Sequence, residues 1–221
     1  MENIAFVRYS PHTSTKELTS KVVECFQVVF ADSPWNEWKS CSVCKKFWGK
    51  KDIALLEASN FHHCNVPLID YWPQEQVTSD LFHEITKESS CWLALNGSQV
   101  VGFTWGYQVN PESLEKKLGV SFSSTFISKF GRQSKIAYQD EVGVISEFRE
   151  HKIAKSMVKL RLSDFLAQDL KVGVVRTREF PEPSKTFLWY KKIGYETIFQ
   201  YPKEDGRVIL ARSLDNLSTL L

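Results

Sequence analysis

One stretch of this chain, Glu141 to Tyr195, constrains the fold more than any other. An apolar run, Val142-Gly143-Val144-Ile145, reads as a strand and feeds a turn carrying Arg149, His151 and Lys152. An amphipathic helix follows at once, with Ile153, Met157, Val158, Leu162, Phe165 and Leu166 at helical spacing. Val172 to Thr177 reads as a strand, and Pro183 to Ile193 as a helix with Pro183 near its first turn and Gly194 just past its end. The order strand, basic turn, helix gathers backbone N–H groups that have no carbonyl partner at a positive dipole end. Such a turn is a ready site for phosphate.

At 221 residues the chain is expected to form a single domain, 1–221, with small inserts. Its hydrophobic share of 43% and charged share of 24% are those of an ordinary globular protein. A net charge of +2 is too small to argue for nucleic acid or an anionic membrane, so neither is expected as a partner. No apolar run approaches the roughly 20 residues of a spanning helix. Met1-Glu2-Asn3-Ile4 lacks a signal-peptide pattern, and a cytoplasmic location is expected. An odd count of 5 cysteines argues against a disulfide framework.

Along the chain, Ile4 to Tyr9 reads as a first strand. Ser14 and Glu17 form an S-x-x-E capping box before a helix with Leu18, Val22, Cys25, Phe26, Val29 and Phe30 on one face. Residues 33–70 are less regular. Val77 to Ile85 is a second helix. Cys91 to Leu95 and Val100 to Trp105 flank Asn96-Gly97, a strong hairpin signal. Residues 109–135 read as an insertion covering one end of the sheet. Ile136 to Ile145 is a long strand, and two closing strands flank Asp205-Gly206. The pattern predicts a mixed α/β fold, a central sheet of about seven strands with helices on both faces.

These residues resemble the GNAT N-acetyltransferase superfamily, in a bacterial-type form. The family's pyrophosphate signature R/Q-x-x-G-x-G/A is matched here by Arg149-Glu150-His151-Lys152-Ile153-Ala154, with Lys152 where the family usually has Gly. Its Y-x-x-x-G-F motif is matched by Tyr190-Lys191-Lys192-Ile193-Gly194-Tyr195. The resemblance implies acetyl-CoA as co-substrate, held by residues 149–154 and by strand amides near Val142 and Val144. It also implies direct transfer of the acyl group to an amine acceptor. A carboxylate at the start of the apolar strand is the implied base. Glu141 is preferred over Asp140, since strand alternation lets only one of them face a cleft. Tyr190 is the implied general acid for the thiolate; a phenol with pKa near 10 is protonated at neutral pH. Trp35, Trp38, Trp105 and Tyr107 are candidates for lining the acceptor side.

Cys41-Ser42-Val43-Cys44 is followed by His62-His63-Cys64. A C-x-x-C turn with a further ligand pair about twenty residues on is zinc-like, although the second pair is His-x-Cys. Cys41, Cys44, His62 and Cys64 would make a closed Cys₃His site within a zinc-binding insertion, 33–70. His62 is preferred over His63, because i and i+2 share a face of an extended segment. Two functions therefore stand open: an acetyl-CoA-dependent N-acetyltransferase, and a catalytically weak or silent acyl-CoA-binding module with a structural zinc.

Overall fold

The periodicities become strands and helices close to where the sequence places them. The computed structural model describes residues 4–57 and 64–215; His62 and His63 lie outside the described residues. The chain runs β1 (Ile4–Arg8), α1 (Lys16–Ala31), β2 (Lys39–Ser40), β3 (Phe47–Trp48), α2 (Lys50–Glu57), β4 (Ile69–Asp70), α3 (Gln74–Glu84), β5 (Ser90–Asn96) and β6 (Gln99–Val109). It continues through α4 (Pro111–Leu118), α5 (Ser123–Phe130), β7 (Ile136–Val144), α6 (Ile153–Ala167), β8 (Val172–Arg178), α7 (Lys185–Lys192), β9 (Glu196–Gln200) and β10 (Arg207–Ser213). The class is mixed α/β, as expected. A 7-stranded sheet has the order β1-β5-β6-β7-β8-β10-β9, and a 3-stranded sheet the order β3-β2-β4. Among the described residues no helix is long and apolar enough to cross a membrane.

The residues group into two compact units, with β6 and β7 contributing to both. The first comprises Met1–Lys87, Cys91–Thr104 and Val142–Val158. Here α1 lays its apolar face on the sheet: Phe26 stacks on Phe103 with ring centroids 5.6 Å apart. Close approach requires a glycine at position 143, where a Cβ would stand 2.5 Å from the Phe103 ring and 2.8 Å from Val29 of α1. The cap of α1 corrects the sequence expectation. Thr15, not Ser14, is the N-cap, and its side chain accepts from the Leu18 amide at 3.2 Å. Glu17 reaches forward to Lys21 at 2.8 Å instead of back to the cap, so the S-x-x-E box is not formed. The 91–105 hairpin forms, with Gly97 at φ 58°. Its turn residues are Gly97 and Ser98, one position beyond Asn96-Gly97, because Asn96 stays in β5 and pairs with Ile4.

The second unit comprises Glu88–Ser90, Trp105–Glu141 and Lys159–Leu221. Leu114, Leu118, Phe122 and Phe126 of the α4–α5 segment pack on Ile136, Tyr138, Val172, Val174, Ile198 and Ile209 of the strands. Helix α7 starts one residue after Pro183's neighbour Ser184, which is the N-cap and accepts from the Phe187 amide at 3.0 Å. Gly194, at φ 89°, ends it, with its amide returning to Lys191 and that of Tyr195 to Tyr190.

Candidate active site

The loop between β7 and α6 has an unusual backbone. A single 3₁₀ turn, Ser146–Phe148, leads into Arg149. Glu150 and Lys152 then take positive φ, 72° and 62°. Positive φ in a non-glycine residue costs about 1–3 kcal/mol. Lys152 thus adopts a backbone region that glycine reaches freely. Its carbonyl takes the Ser156 amide at 2.9 Å, closing the first turn of α6, and both His151 and Lys152 are exposed. The first amides of α6, at Ile153 and Ala154, follow directly; a helix supplies no carbonyl to such groups. Left-handed residues in such a turn can direct successive amides to one side, as in anion-binding concavities. Arg149 holds the loop from behind: its Nε donates to the Val144 carbonyl at 3.0 Å and its Nη1 to the Ser33 carbonyl at 2.9 Å.

Asp140 and Glu141 part as strand alternation requires. Asp140, with 6% of its side chain exposed, accepts from Lys117 at 2.8 Å and from the Tyr107 hydroxyl at 2.9 Å. Glu141 is half-buried on the other face of β7. β7 and β8 pair in parallel from Ala137–Gly173 to Gln139–Val175, and neither Asp140 nor Glu141 continues that ladder. The Glu141 carbonyl is taken instead by a side chain the sequence reading passed over. Arg161 of α6, 1% exposed, donates from Nη1 to the carbonyls of Glu141 at 2.8 Å and Trp105 at 2.7 Å. Its Nη2 donates to Gln139 Oε1 at 3.0 Å and to the Tyr190 hydroxyl at 3.1 Å. A buried guanidinium thereby ties β6, β7 and α7 together through four hydrogen bonds from its two terminal nitrogens, a fork that no lysine reproduces.

Tyr190 is a full member of this network. It is 0% exposed, and its hydroxyl donates to Gln139 Oε1 at 2.8 Å. Gln139 Nε2 in turn donates to the Tyr195 hydroxyl at 2.7 Å. Burial pushes the Tyr190 phenol up, against the opposing pull of Arg161 beside it. The phenol is therefore kept neutral, but its proton is already committed to Gln139. Arg161 and Gln139 carried a faint signal in the sequence: Arg161 falls on the same helical stripe as Met157 and Phe165, where an apolar residue is the rule.

Elsewhere in the first unit, Cys41, Cys44 and Cys64 converge, with their sulfurs all within 4.8 Å of one another. This group could hold a metal. Cys41 is buried, while Cys44 and Cys64 are exposed. Hydrogen bonds, first from the Cys44 amide, hold the Cys41 thiol below its ordinary value. Cys64 is pushed up to about 11, first by desolvation and then by bonding to Cys44 and Cys41. Of these two thiols, Cys41 carries negative charge the more readily.

A cavity of about 380 Å³ in the same unit is lined by Glu37, Asp70 and Glu75, by Trp38 and Trp72, and by Gln27, Pro73 and Gln74. Trp72 Nε1 donates to Glu37 at 2.9 Å, and Gln27 to the Trp72 carbonyl at 2.8 Å. Of the aromatic residues expected on an acceptor side, only Trp38 lines this cavity; Trp105 is a buried core residue at 3% exposure.

No family model matches the sequence, and no curated protein matches it either. Solved structures do. The chain is similar to the PaiA N-acetyltransferase of Thermoplasma acidophilum, solved in complex with coenzyme A, at 10% identity and a TM-score of 0.52, covering 96% of this chain and 99% of that one. It is similar to a mosquito arylalkylamine N-acetyltransferase-like protein, 5b, at 10% identity and a TM-score of 0.55, covering 96% and 100%. It is similar to an aminoglycoside 6′-acetyltransferase, type Ii, at 11% identity and a TM-score of 0.53, covering 95% and 97%. Coverage of nearly the whole of each chain, with the strand order and the loop before α6 described above, leads to one conclusion: the chain has the fold of the GNAT N-acetyltransferases.

Proposed function

We propose that the protein is an acetyl-CoA-dependent N-acetyltransferase. The observation that carries this reading is the loop before α6, where Glu150 and Lys152 hold positive φ immediately ahead of the helix start. Backbone of this kind binds pyrophosphate, and the cations of Lys152 and His151, when protonated, add to it. Arg149 serves chiefly to brace the loop, since two of its donors are spent on carbonyls. In the transfer, the amine nitrogen bonds to the thioester carbonyl carbon and the carbon–sulfur bond breaks. The amine proton passes to the Glu141 carboxylate, directly or through water, and the departing thiolate takes a proton. Strand amides near Val142 and Val144 polarise the acyl oxygen. An amine acceptor is supported by the cavity with three carboxylates and two indoles, a lining that suits a cationic group.

Tyr190 is the proposed proton donor to the thiolate, and that role requires its hydroxyl to exchange its bond to Gln139 for one to sulfur. The enclosure of this hydroxyl by Arg161 and Gln139 favours a second reading, an acyl-CoA-binding module without turnover. Thermal-shift titration with acetyl-CoA tests the first step: a rise in Tm with ligand is expected, and none at large excess overturns both readings. Thiol release with a panel of small and peptidyl amines separates them. Glu141→Gln should lower kcat by roughly 100-fold or more. An unchanged rate would remove Glu141 from the mechanism. Tyr190→Phe losing stability but no rate would remove Tyr190 from the mechanism and leave it a structural role.

A further inference from the structure

We propose that Cys41, Cys44 and Cys64 bind one zinc ion, and that this ion holds together the small sheet formed by β2, β3 and β4. The first support is convergence. Cys41 and Cys44 lie in the loop of the β2–β3 hairpin, and Cys64 is 20 residues further on. Their three sulfurs nevertheless lie within 4.8 Å of one another. Thiolates around tetrahedral zinc, with Zn–S near 2.3 Å, stand about 3.8 Å apart, so little adjustment closes the site.

The second support is the loop itself. The Cys41 amide donates to the Lys46 carbonyl at 2.8 Å, and the Lys45 amide to the Cys41 carbonyl at 2.9 Å. Lys45 takes φ 61°, and on the other side Cys64 and Asn65 take φ 55° and 58°. Both chain segments thus reverse sharply where they deliver sulfur. Left-handed backbone at Lys45 and Cys64 costs about 1–3 kcal/mol each.

The third support is what this region lacks. Its strands pair over two residues each: Lys39 with Trp48 and Asp70, Ser40 with Phe47 and Ile69. Strands so short are not stable on hydrogen bonds alone. Among the described residues their apolar cover is thin, since Val43, Phe47 and Ile69 are 61%, 43% and 50% exposed. A small segment with little buried apolar surface is ordinarily held by disulfides or a metal. A disulfide would use two of the three thiols and leave the third without a function in the cluster. Three soft sulfur donors select zinc over hard cations such as magnesium or calcium. A fourth protein ligand would close the coordination shell and make the ion structural. His62, the sequence expectation for that position, lies outside the described residues.

The consequence reaches the cavity. β2 and β4 carry its walls: Trp38 precedes β2 and bonds Trp48 through its amide at 3.0 Å, while the Tyr71 amide returns to the Trp38 carbonyl at 3.1 Å. Asp70, at the end of β4, and Trp72 also line it. Zinc would thus fix the spacing of Trp38 and Asp70 without touching any ligand there.

Elemental analysis of the full chain, purified without added metal, is the direct test. About one zinc per chain is expected. A ratio near zero, or a disulfide among these cysteines found by mass spectrometry under native conditions, overturns the proposal. Exchange into Co²⁺ should give intense thiolate-to-metal charge transfer and tetrahedral d–d bands; octahedral spectra would overturn it equally. Cys44→Ser should lose the ion while Cys25→Ser, buried in α1, retains it. Chelation should shift tryptophan fluorescence, and an unchanged spectrum on complete metal removal would overturn the link to the cavity walls. None of these readouts depends on acetyl transfer, so the zinc site and the enzymatic reading stand or fall separately.

Discussion

Residues 33–70 and 109–135 both connect strands of the large sheet, and they bury their side chains to very different degrees. In 109–135, Leu114, Phe122 and Phe126 are 0%, 1% and 1% exposed against the strands of the large sheet. In 33–70, Val43 and Ile69 are 61% and 50% exposed, and three cysteines gather beside them. The difference shows what apolar periodicity provides. A segment with a leucine and phenylalanine stripe borrows the core of its neighbour. A segment whose strands leave their apolar side chains in solvent needs another kind of fastening.

The largest effect should come from Phe126→Ala, which empties a filled core site and should lower unfolding free energy by about 3–5 kcal/mol. Denaturant unfolding checks this, and the loss should be the same with and without chelator. A loss near zero would mean that α5 is an appendage, and the contrast between the two segments would fail. Metal removal should act differently. The global midpoint should hold, while amides of Lys39, Ser40, Phe47 and Trp48 exchange about 100-fold faster, about 2.7 kcal/mol of local opening. Hydrogen exchange that stays unchanged there would show that the strands of 33–70 need no fastening.

The loop before α6 stores strain and offers a third kind of hold to compare. Lys152→Val should destabilise by about 1–3 kcal/mol, since a β-branched residue tolerates positive φ poorly, while Lys152→Gly should be neutral or better. Equal stability of the two variants would show that Lys152 does not keep φ 62° in solution.

Within 109–135, Glu115 is the polar fastening. It accepts from the amides of Phe122 and Ser123 and from the Ser123 hydroxyl, the last at 2.8 Å. Burial raises its carboxyl pKa, but these bonds prevail and hold it below the ordinary Glu value. The folded pKa is depressed, so the contribution is present above the ordinary value and lost as pH falls through the folded one. Glu115→Gln should therefore flatten the acid limb of stability against pH, by about 1 kcal/mol or less after solvent screening. An acid limb as steep as the wild type's would remove Glu115 from the account. The smallest effect should be Asp70→Asn, which breaks the Lys39–Asp70 pair at 2.5 Å, with side chains 28% and 52% exposed. A change under about 1 kcal/mol is expected. More than that would mean that charge pairing, and not metal, holds β2 to β4.

Much of the architecture was legible because its signals are local. The apolar stripe of α1, the Asn96-Gly97 hairpin and the strand, turn and helix from Val142 to Ala167 follow from spacing within a few residues. The capping misreading is instructive in the same terms: Ser14 and Thr15 are chemically equivalent, and only the helix start decides which hydroxyl meets an amide. In the site, the separation of Asp140 from Glu141 was legible from alternation alone. The hold that Arg161 exerts on the Glu141 carbonyl was not. Its partners, Trp105, Gln139, Glu141 and Tyr190, are spread over more than 80 residues of sequence.

By itself the sequence determined the periodic elements, their order, the cluster of amides before α6 and the C-x-x-C turn, since each depends on neighbours along the chain. Tertiary structure alone decided that the Tyr190 hydroxyl is enclosed and that Lys152 takes a backbone region glycine would occupy, while it brought Cys64 to Cys41 and Cys44 as the spacing had suggested. Burial and hydrogen-bond partnership depend on which distant groups exclude water from a side chain, and no local spacing encodes that.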